Sequence, residues 1–344
     1  VVTSKQTEQD IRKYDVPVVR VDNVPYRWMK LGKRPKRLHE YLILDAKLKK
    51  TYDFLNTHAK VVLFYELFEL KYPEWLTKPK KVFLTHGNML KSYMTSHPKR
   101  LENIAHYDYM AALSPYMKAK FITEGVPSDK LVDIGIARTD ELLASLSKKS
   151  FVRQQVTQKL ALNPKKPIIL YAPTFWGESS IHHTGLEILE YIDDSFTLLF
   201  RPHPQTPGSI LKKYQKIIKS RNNIHLIDHT VDTSLTDLLV SSDATIIDRS
   251  SIALEALLTD TPIVFAYDSS KQEETSDYES IKEIVDYSQK ILLGDKARVN
   301  ETIKSAIYDG IKPAIWNNVR KRVWFQPNGG ATEAIKTFIT SQID

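Results

Sequence analysis

The chain has no cysteine among its 344 residues, which removes disulfides, thiolate zinc sites, iron–sulfur clusters and cysteine nucleophiles together and fits a reducing compartment. Glycine is scarce, at 11 residues, and no two are spaced Gly-x-Gly. Both the dinucleotide fingerprint and the P-loop need closely set glycines, because only a backbone without Cβ atoms wraps a phosphate so tightly. Nicotinamide enzymes and P-loop ATPases are therefore excluded. Long apolar runs are missing as well. Stretches such as Val61–Tyr65 and Ile263–Tyr267 fall far short of the roughly 20 residues that cross a bilayer. No secretory leader is visible.

What is present suits two domains of ordinary size or one large one, since 42% hydrophobic residues suffice for real cores. The net charge is +8 and unevenly spread. Between Arg27 and Lys50 stand Arg27, Lys30, Lys33, Arg34, Lys36, Arg37, Lys47, Lys49 and Lys50, opposed only by Glu40 and Asp45. One reading is a solvated helical face, the ordinary place for Lys and Arg. The other is a patch for an anionic membrane surface, because Trp28, Met29 and Leu31 interleave with the cations. Nucleic acid is not expected as a partner, as no recognition fold is apparent.

Short β-branched and aromatic runs recur along the chain. The first half holds Val16–Val21, Lys60–Phe64, Lys81–Thr85, Tyr107–Leu113 and Lys130–Ile134; the second holds Pro167–Ala172, Phe196–Phe200, Ile224–Ile227, Ala244–Ile247 and Pro262–Tyr267. Between them, segments such as Ser209–Lys219 and Ser250–Leu258 space apolar residues three and four apart, the helical period. Strands alternating with helices predict an α/β fold with parallel sheets covered on both faces. The polar, basic stretch Ser145–Lys166, where Ser-Lys-Lys-Ser and Asn-Pro-Lys-Lys-Pro bracket one short helix, has a linker's composition and divides the chain into residues 1–150 and 151–344. From about Ser280 the pattern predicts helices, with an Asn328-Gly329-Gly330 turn leading into a last amphipathic helix over Thr332–Ile339.

The informative residues follow the strands, where open parallel sheets bind ligands. Asp248-Arg249-Ser250-Ser251 closes one strand and precedes a good helix former, so Ser250 and Ser251 fall at a helix N-terminus. Free N–H groups, the helix dipole and two hydroxyls make an anion site there. Plain capping by Ser250, with Asp248 and Glu255 in support, is the commoner use of Ser-Ser on its own. In Arg201-Pro202-His203-Pro204 the prolines stiffen the backbone and leave a guanidinium and an imidazole at the strand end. That pair suits a diphosphate and a departing phosphate; the competing reading is a surface turn. His86 precedes Gly87, which leaves a ligand room to approach, and an imidazole suits a general base acting on a hydroxyl, with Lys91 as a point charge. A lone strand-end histidine is more often structural, so the constellation carries the case.

Other histidines fail on context. His225 and His229 are spaced like a zinc helix but lie in a strand pattern, and the adjacent His182 and His183 point apart. No catalytic metal and no cofactor are expected; Arg, Lys and helix dipoles supply the positive charge.

Taken in order, His86-Gly87-x-x-x-Lys91, Gly135-x-x-Arg138-x-Asp140, Tyr171-Ala-Pro-Thr174, Arg201-Pro-His203-Pro, Asp248-x-Ser250-Ser251 and the Pro262-Ile-Val-Phe265 strand resemble the CDP-glycerol glycerophosphotransferase family, which contains the teichoic acid primases and polymerases and related capsule polymerases. Phe325-x-x-Asn328-Gly-Gly adds to the likeness. The resemblance implies a GT-B-like architecture, two Rossmann-like domains facing a central cleft, an acceptor-side domain over 1–150 and a nucleotide-binding one over 151–344, with the last helix a candidate to pack back on the first. It implies transfer of a polyol phosphate from a CDP-polyol donor to a hydroxyl of a lipid-linked or oligosaccharide acceptor, with release of CMP, in the cytoplasm or on the inner face of the cell membrane. His86 then looks like the base, and His203 with Arg201 like diphosphate ligands. Ser250 and Ser251 look like phosphate binders, and Gly87, Lys91, Arg138, Asp140, Thr174, Asp248 and Arg249 like further substrate contacts. Two positions depart from the family pattern: Asn88 stands where Thr is usual, and Arg249 replaces a frequent Tyr. The alternatives are a GT-B glycosyltransferase using a sugar nucleotide, although the segment from Glu255 to Pro262 lacks the Gly such enzymes usually carry, and a non-catalytic module that binds polyanions or membranes.

Overall fold

A computed structural model describes residues 38–64, 72–84, 99–175, 179–228, 230–248, 250–268 and 279–343. The expected strand Val16–Val21 and residues 27–37 of the basic stretch 27–50 lie outside these residues. So do His86, Gly87, Lys91, Arg249 and His229.

A long helix, α1 (Leu38–His58), leads into a four-stranded parallel sheet in the order β1 (Val61–Phe64), β2 (Lys80–Phe83), β3 (Tyr109–Ala112) and β4 (Leu131–Asp133). Helices α2 (Lys99–Ala105) and α3 (Pro115–Thr123) make the crossovers between β2 and β3 and between β3 and β4. Ser114 starts α3 by accepting the Met117 N–H at 3.1 Å, with Pro115 at the first helical position, where its missing N–H costs nothing. Val82, Phe83, Met110, Ala111 and Phe121 form the heart of this sheet's core, all at most 1% exposed.

Past β4 the chain changes partner. Ile136 touches both this core and the next one, and the two following helices, α4 (Ala137–Leu146) and α5 (Lys149–Lys159), send Leu142 and Val156 into the second core. The stretch from Ser145 to Lys166 therefore holds a packed helix, although its polar composition reads as a linker.

The second sheet has six parallel strands: β5 (Ile168–Tyr171), β6 (Thr197–Phe200), β7 (Ile224–Leu226), β8 (Ala244–Ile247), β9 (Ile263–Tyr267) and β10 (Lys290–Leu292). Their order is β10-β9-β8-β5-β6-β7. The chain winds outward from β5 in one direction and then from β8 in the other, so the crevice between β5 and β8 is the topological switch point. Helices α6 (Thr184–Tyr191), α7 (Gly208–Ile218), α8 (Leu235–Ser241), α9 (Ile252–Ala256), α10 (Lys282–Tyr287) and α11 (Val299–Asp309) cover it. Strand residues alternate between its two cores: Ile168 and Leu170 join α5 and α8 on one face, Ile169 and Tyr171 join α6 on the other. Burial on both faces explains why the central strands β5, β6 and β8 read as largely apolar runs.

The region after Ser280, expected as helices alone, contains β10. Three residues on a sheet edge, Lys-Ile-Leu, are too few to display a strand period. The last two helices, α12 (Pro313–Val323) and α13 (Ala331–Ser341), return toward the first sheet. Gly329 and Gly330 have φ of 99° and 100°, left-handed values that favour glycine, and they turn the chain into α13. Ala334, Ile335 and Phe338 of α13 then pack on the first core, where Phe338 meets Tyr109 edge to face at 5.3 Å.

Candidate active site

The carboxyl ends of three adjacent strands, β8, β5 and β6, carry Asp248, Thr174 and Arg201 with His203. Register places Tyr171 opposite both Ile246 and Phe200, so Asp248 and Arg201 flank the Ala172-Pro173-Thr174 loop.

Asp248 is the hub, at 1% exposure. One carboxylate oxygen accepts the Thr174 N–H at 2.9 Å; the other accepts the N–H and the hydroxyl of Ser180, both at 2.9 Å. Behind Ser180 the Tyr171 hydroxyl lies 2.8 Å away. Since the Ser180 proton goes to Asp248, Tyr171 donates to Ser180. Burial pushes the Tyr171 phenol well above its ordinary value, so it stays protonated. Burial also pushes the Asp248 carboxyl up, while the bonds from Thr174 and Ser180 pull it back. Tyr214 closes the floor by donating to Ile181 O at 2.8 Å, and its ring stacks on Phe200 at 4.7 Å. Gly185 permits this arrangement, because a Cβ there would lie 2.1 Å from the Tyr171 hydroxyl and 2.4 Å from that of Tyr214. Asp248 thus spends its acceptors on the loop after β5 instead of facing a ligand with them.

The end of β6 is the opposite case. Arg201 continues the sheet through its N–H, which donates to Tyr171 O at 2.9 Å. Its half-buried guanidinium reaches only Thr233 O, at 3.5 Å, and no carboxylate pairs with it among the described residues. Burial alone lowers its pKa, and a guanidinium remains charged regardless. His203 stacks on Phe175 with ring centroids 4.3 Å apart, and its Nδ1 accepts the Gln205 N–H at 3.1 Å. With Nδ1 an acceptor, the neutral ring carries its proton on Nε2 and is a donor there. The Thr206 and Thr233 hydroxyls nearby are buried without a hydrogen-bond partner among the described residues.

Ser250 is buried and its hydroxyl lies 3.3 Å from the Ile252 N–H, a weak cap for α9; Ser251 is exposed at the same turn and does not cap. Glu255 does not complete the capping. It pairs with Arg138.

Arg138 and Asp140 are therefore not beside Arg201 and His203. Asp140 accepts the N–H groups of Gly330, Ala331 and Thr332 at 2.8, 3.1 and 2.7 Å, and so caps α13. His182 Nε2 lies 3.2 Å from Phe175 O, whereas His183 Nδ1 accepts the Thr184 N–H, so the two rings serve different partners. Among the described residues no three His, Asp or Glu side chains converge as a metal site.

Sequence reasoning missed Ser180, Tyr171, Gly185, Phe175, Thr206 and Thr233. None carried a local signal; Gly185, the second residue of α6, reads as an ordinary glycine at a helix start.

A four-stranded parallel sheet followed by a doubly wound six-stranded one is an α/β architecture of GT-B-like type. The family model for CDP-glycerol:poly(glycerophosphate) glycerophosphotransferase matches residues 31–321, and the chain belongs to that family. The teichoic acid glycerol-phosphate primase of Bacillus subtilis (strain 168) is 30% identical over 174 residues, 48% of this chain and 42% of that protein. The teichoic acid poly(ribitol-phosphate) polymerase of Bacillus spizizenii is 28% identical over 153 residues, 42% of this chain and 23% of that protein. The match thus spans less than half the length of either relative. Among solved structures, a UDP-GlcNAc 2-epimerase from Neisseria meningitidis bound to UDP-GlcNAc superposes with a TM-score of 0.64 at 18% identity, over 98% of this chain and 89% of that one. A histidine-to-alanine variant of the wall teichoic acid polymerase TagF gives 0.63 at 16% identity, over 98% and 85%. At these identities the structural likeness speaks for the fold.

Proposed function

We propose that the protein transfers a polyol phosphate, glycerol phosphate first among them, from a CDP-polyol to an acceptor hydroxyl of a teichoic-acid-like or capsular polymer and releases CMP. The observation that carries this reading is Arg201, a half-buried cation without a carboxylate partner among the described residues, set beside the His203 donor and two unpartnered hydroxyls. A buried cation needs an anion, and a diphosphate supplies one.

In this reading the acceptor oxygen attacks the β-phosphorus in line, its bond forms as the bond to the CMP oxygen breaks, and His86 takes the hydroxyl proton. Arg201 and His203 Nε2–H stabilise the charge that grows on CMP. Ser250 and Ser251 hold the donor phosphates at the start of α9, and Thr174, Arg249, Gly87 and Lys91 line the donor and acceptor. The acceptor is lipid-linked or an oligosaccharide, and the basic stretch 27–50 brings the enzyme to an anionic inner membrane face. Among the described residues no helix is long and apolar enough to cross a membrane.

A thermal-shift panel of CDP-glycerol, CDP-ribitol, CMP and UDP-GlcNAc tests the donor. Cytidine ligands should stabilise most, and His86→Ala should abolish CMP release from CDP-glycerol while leaving that shift in place. Preferential stabilisation by UDP-GlcNAc would favour the sugar-nucleotide reading instead. Sedimentation with anionic vesicles at low salt tests membrane docking, and no binding removes it.

A further inference from the structure

The Gly135–Asp140 segment joins parts of the molecule that the donor site does not. Gly135 lets the C-terminal crossing come close: a Cβ there would lie 2.4 Å from Gln326 Oε1 and 2.8 Å from the Ala331 Cβ. Asp140 caps α13, which lies on the first core. Arg138, between them in sequence, turns to Glu255 of α9, four residues beyond Ser251. The Glu255 side chain is 12% exposed. Ile136, Thr139, Leu142 and Trp324 line the same pocket, with the Glu255 carboxylate on its buried side and the Arg138 guanidinium, 47% exposed, on its solvent side. No other charged group faces Glu255 from the elements packed against it among the described residues.

A buried carboxylate has to be paired or neutralised. We propose that Arg138 is a positioning residue for the donor: it holds the Glu255 carboxylate charged and in place, and through it fixes the Ser250–Ser251 start of α9 against α4 and the first sheet. This inference rests on the donor reading above, since Ser250 and Ser251 matter to turnover only if they grip the donor phosphates. Burial already pushes the Glu255 carboxyl up, with Arg138 as the opposing influence. Without Arg138 the group takes a proton at higher pH, and above that pH an unpaired charge displaces α9.

The test compares wild type, R138K, R138Q and R138Q/E255Q by CDP-glycerol kinetics at about pH 6 and 8. Because the helix start grips donor and transition state alike, R138Q should raise KM about 10-fold at the higher pH with kcat nearly unchanged. At the lower pH its KM should return toward wild type. R138K, which keeps the charge, should stay within about 3-fold throughout, and the double variant should lose the pH dependence. An unchanged KM in R138Q overturns the proposal. So does a raised KM that is flat with pH and persists in R138Q/E255Q, which would mean that Arg138 touches the donor itself. Should R138Q fail to fold, R138K against the double variant carries the same comparison. If wild type releases no CMP from CDP-glycerol, the donor reading falls, and ligand-free melting curves decide the coupling: acid should selectively stabilise R138Q but not R138Q/E255Q, and equal responses overturn it.

Discussion

The strand ends on either side of β5 use their polar groups in opposite ways. At β8, Asp248 is saturated by three donors from the loop after β5. At β6, Arg201 has one long bond to a carbonyl and no counter-ion among the described residues. Both positions satisfy the rule that ligands bind at the carboxyl ends of parallel strands, yet one is consumed in building the loop and the other is available. Position at a strand end nominates a residue; its hydrogen-bond inventory decides what it does.

The largest effect should come from Asp248→Ala, which strands two buried N–H groups and a hydroxyl. At about 1–3 kcal/mol per orphaned group, urea denaturation should show a loss of about 3 kcal/mol or more. Gly185→Ala should follow, at about 1–3 kcal/mol, because the added methyl meets two phenol oxygens already held by other bonds. Asp140→Ala, which uncaps α13, should cost about 1–2 kcal/mol. Arg201→Ala should leave stability within about 0.5 kcal/mol, since it removes a desolvated charge without a counter-ion among the described residues. The same substitution should weaken CDP-glycerol binding by about 10- to 100-fold in calorimetry. A large stability loss in Arg201→Ala would erase the contrast between the two strand ends.

A pH measurement sharpens the role of Asp140. Burial pushes its carboxyl up, but its bonds to Thr332, Ala331 and Gly330 outweigh this and hold it below the ordinary carboxylate value. Its folded-state pKa is depressed, so the stability it contributes is present above about pH 4 and is lost as pH falls through the folded value. Melting temperatures from about pH 3 to 7 should therefore fall less steeply on the acid side in Asp140→Asn than in wild type.

Much of the fold was legible in the chain itself. The runs at 60–64, 81–85, 107–113 and 130–134, and the five from 167 to 267, each overlap a strand, because strands buried on both faces must be apolar throughout. β10 was not legible, being three residues long on an edge. The short helix within 145–166 was legible, but its packing was not, because α5 buries only Val156 and exposes mostly polar residues. For the site, the motifs around Thr174, Arg201 and Asp248 do lie at the carboxyl ends of adjacent strands, whereas Arg138 and Asp140 share their motif's spacing while their partners lie 117 and about 190 residues away.

By itself the sequence determined the α/β class, nine of the ten described strands and the family, since these follow from local periodicity and from motifs a few residues long. Tertiary structure alone decided which strand-end side chains are spent on the protein. Thr174 and Ser180 are 74 and 68 residues from Asp248, and no local pattern records whether a distant N–H will reach a carboxylate before a ligand does.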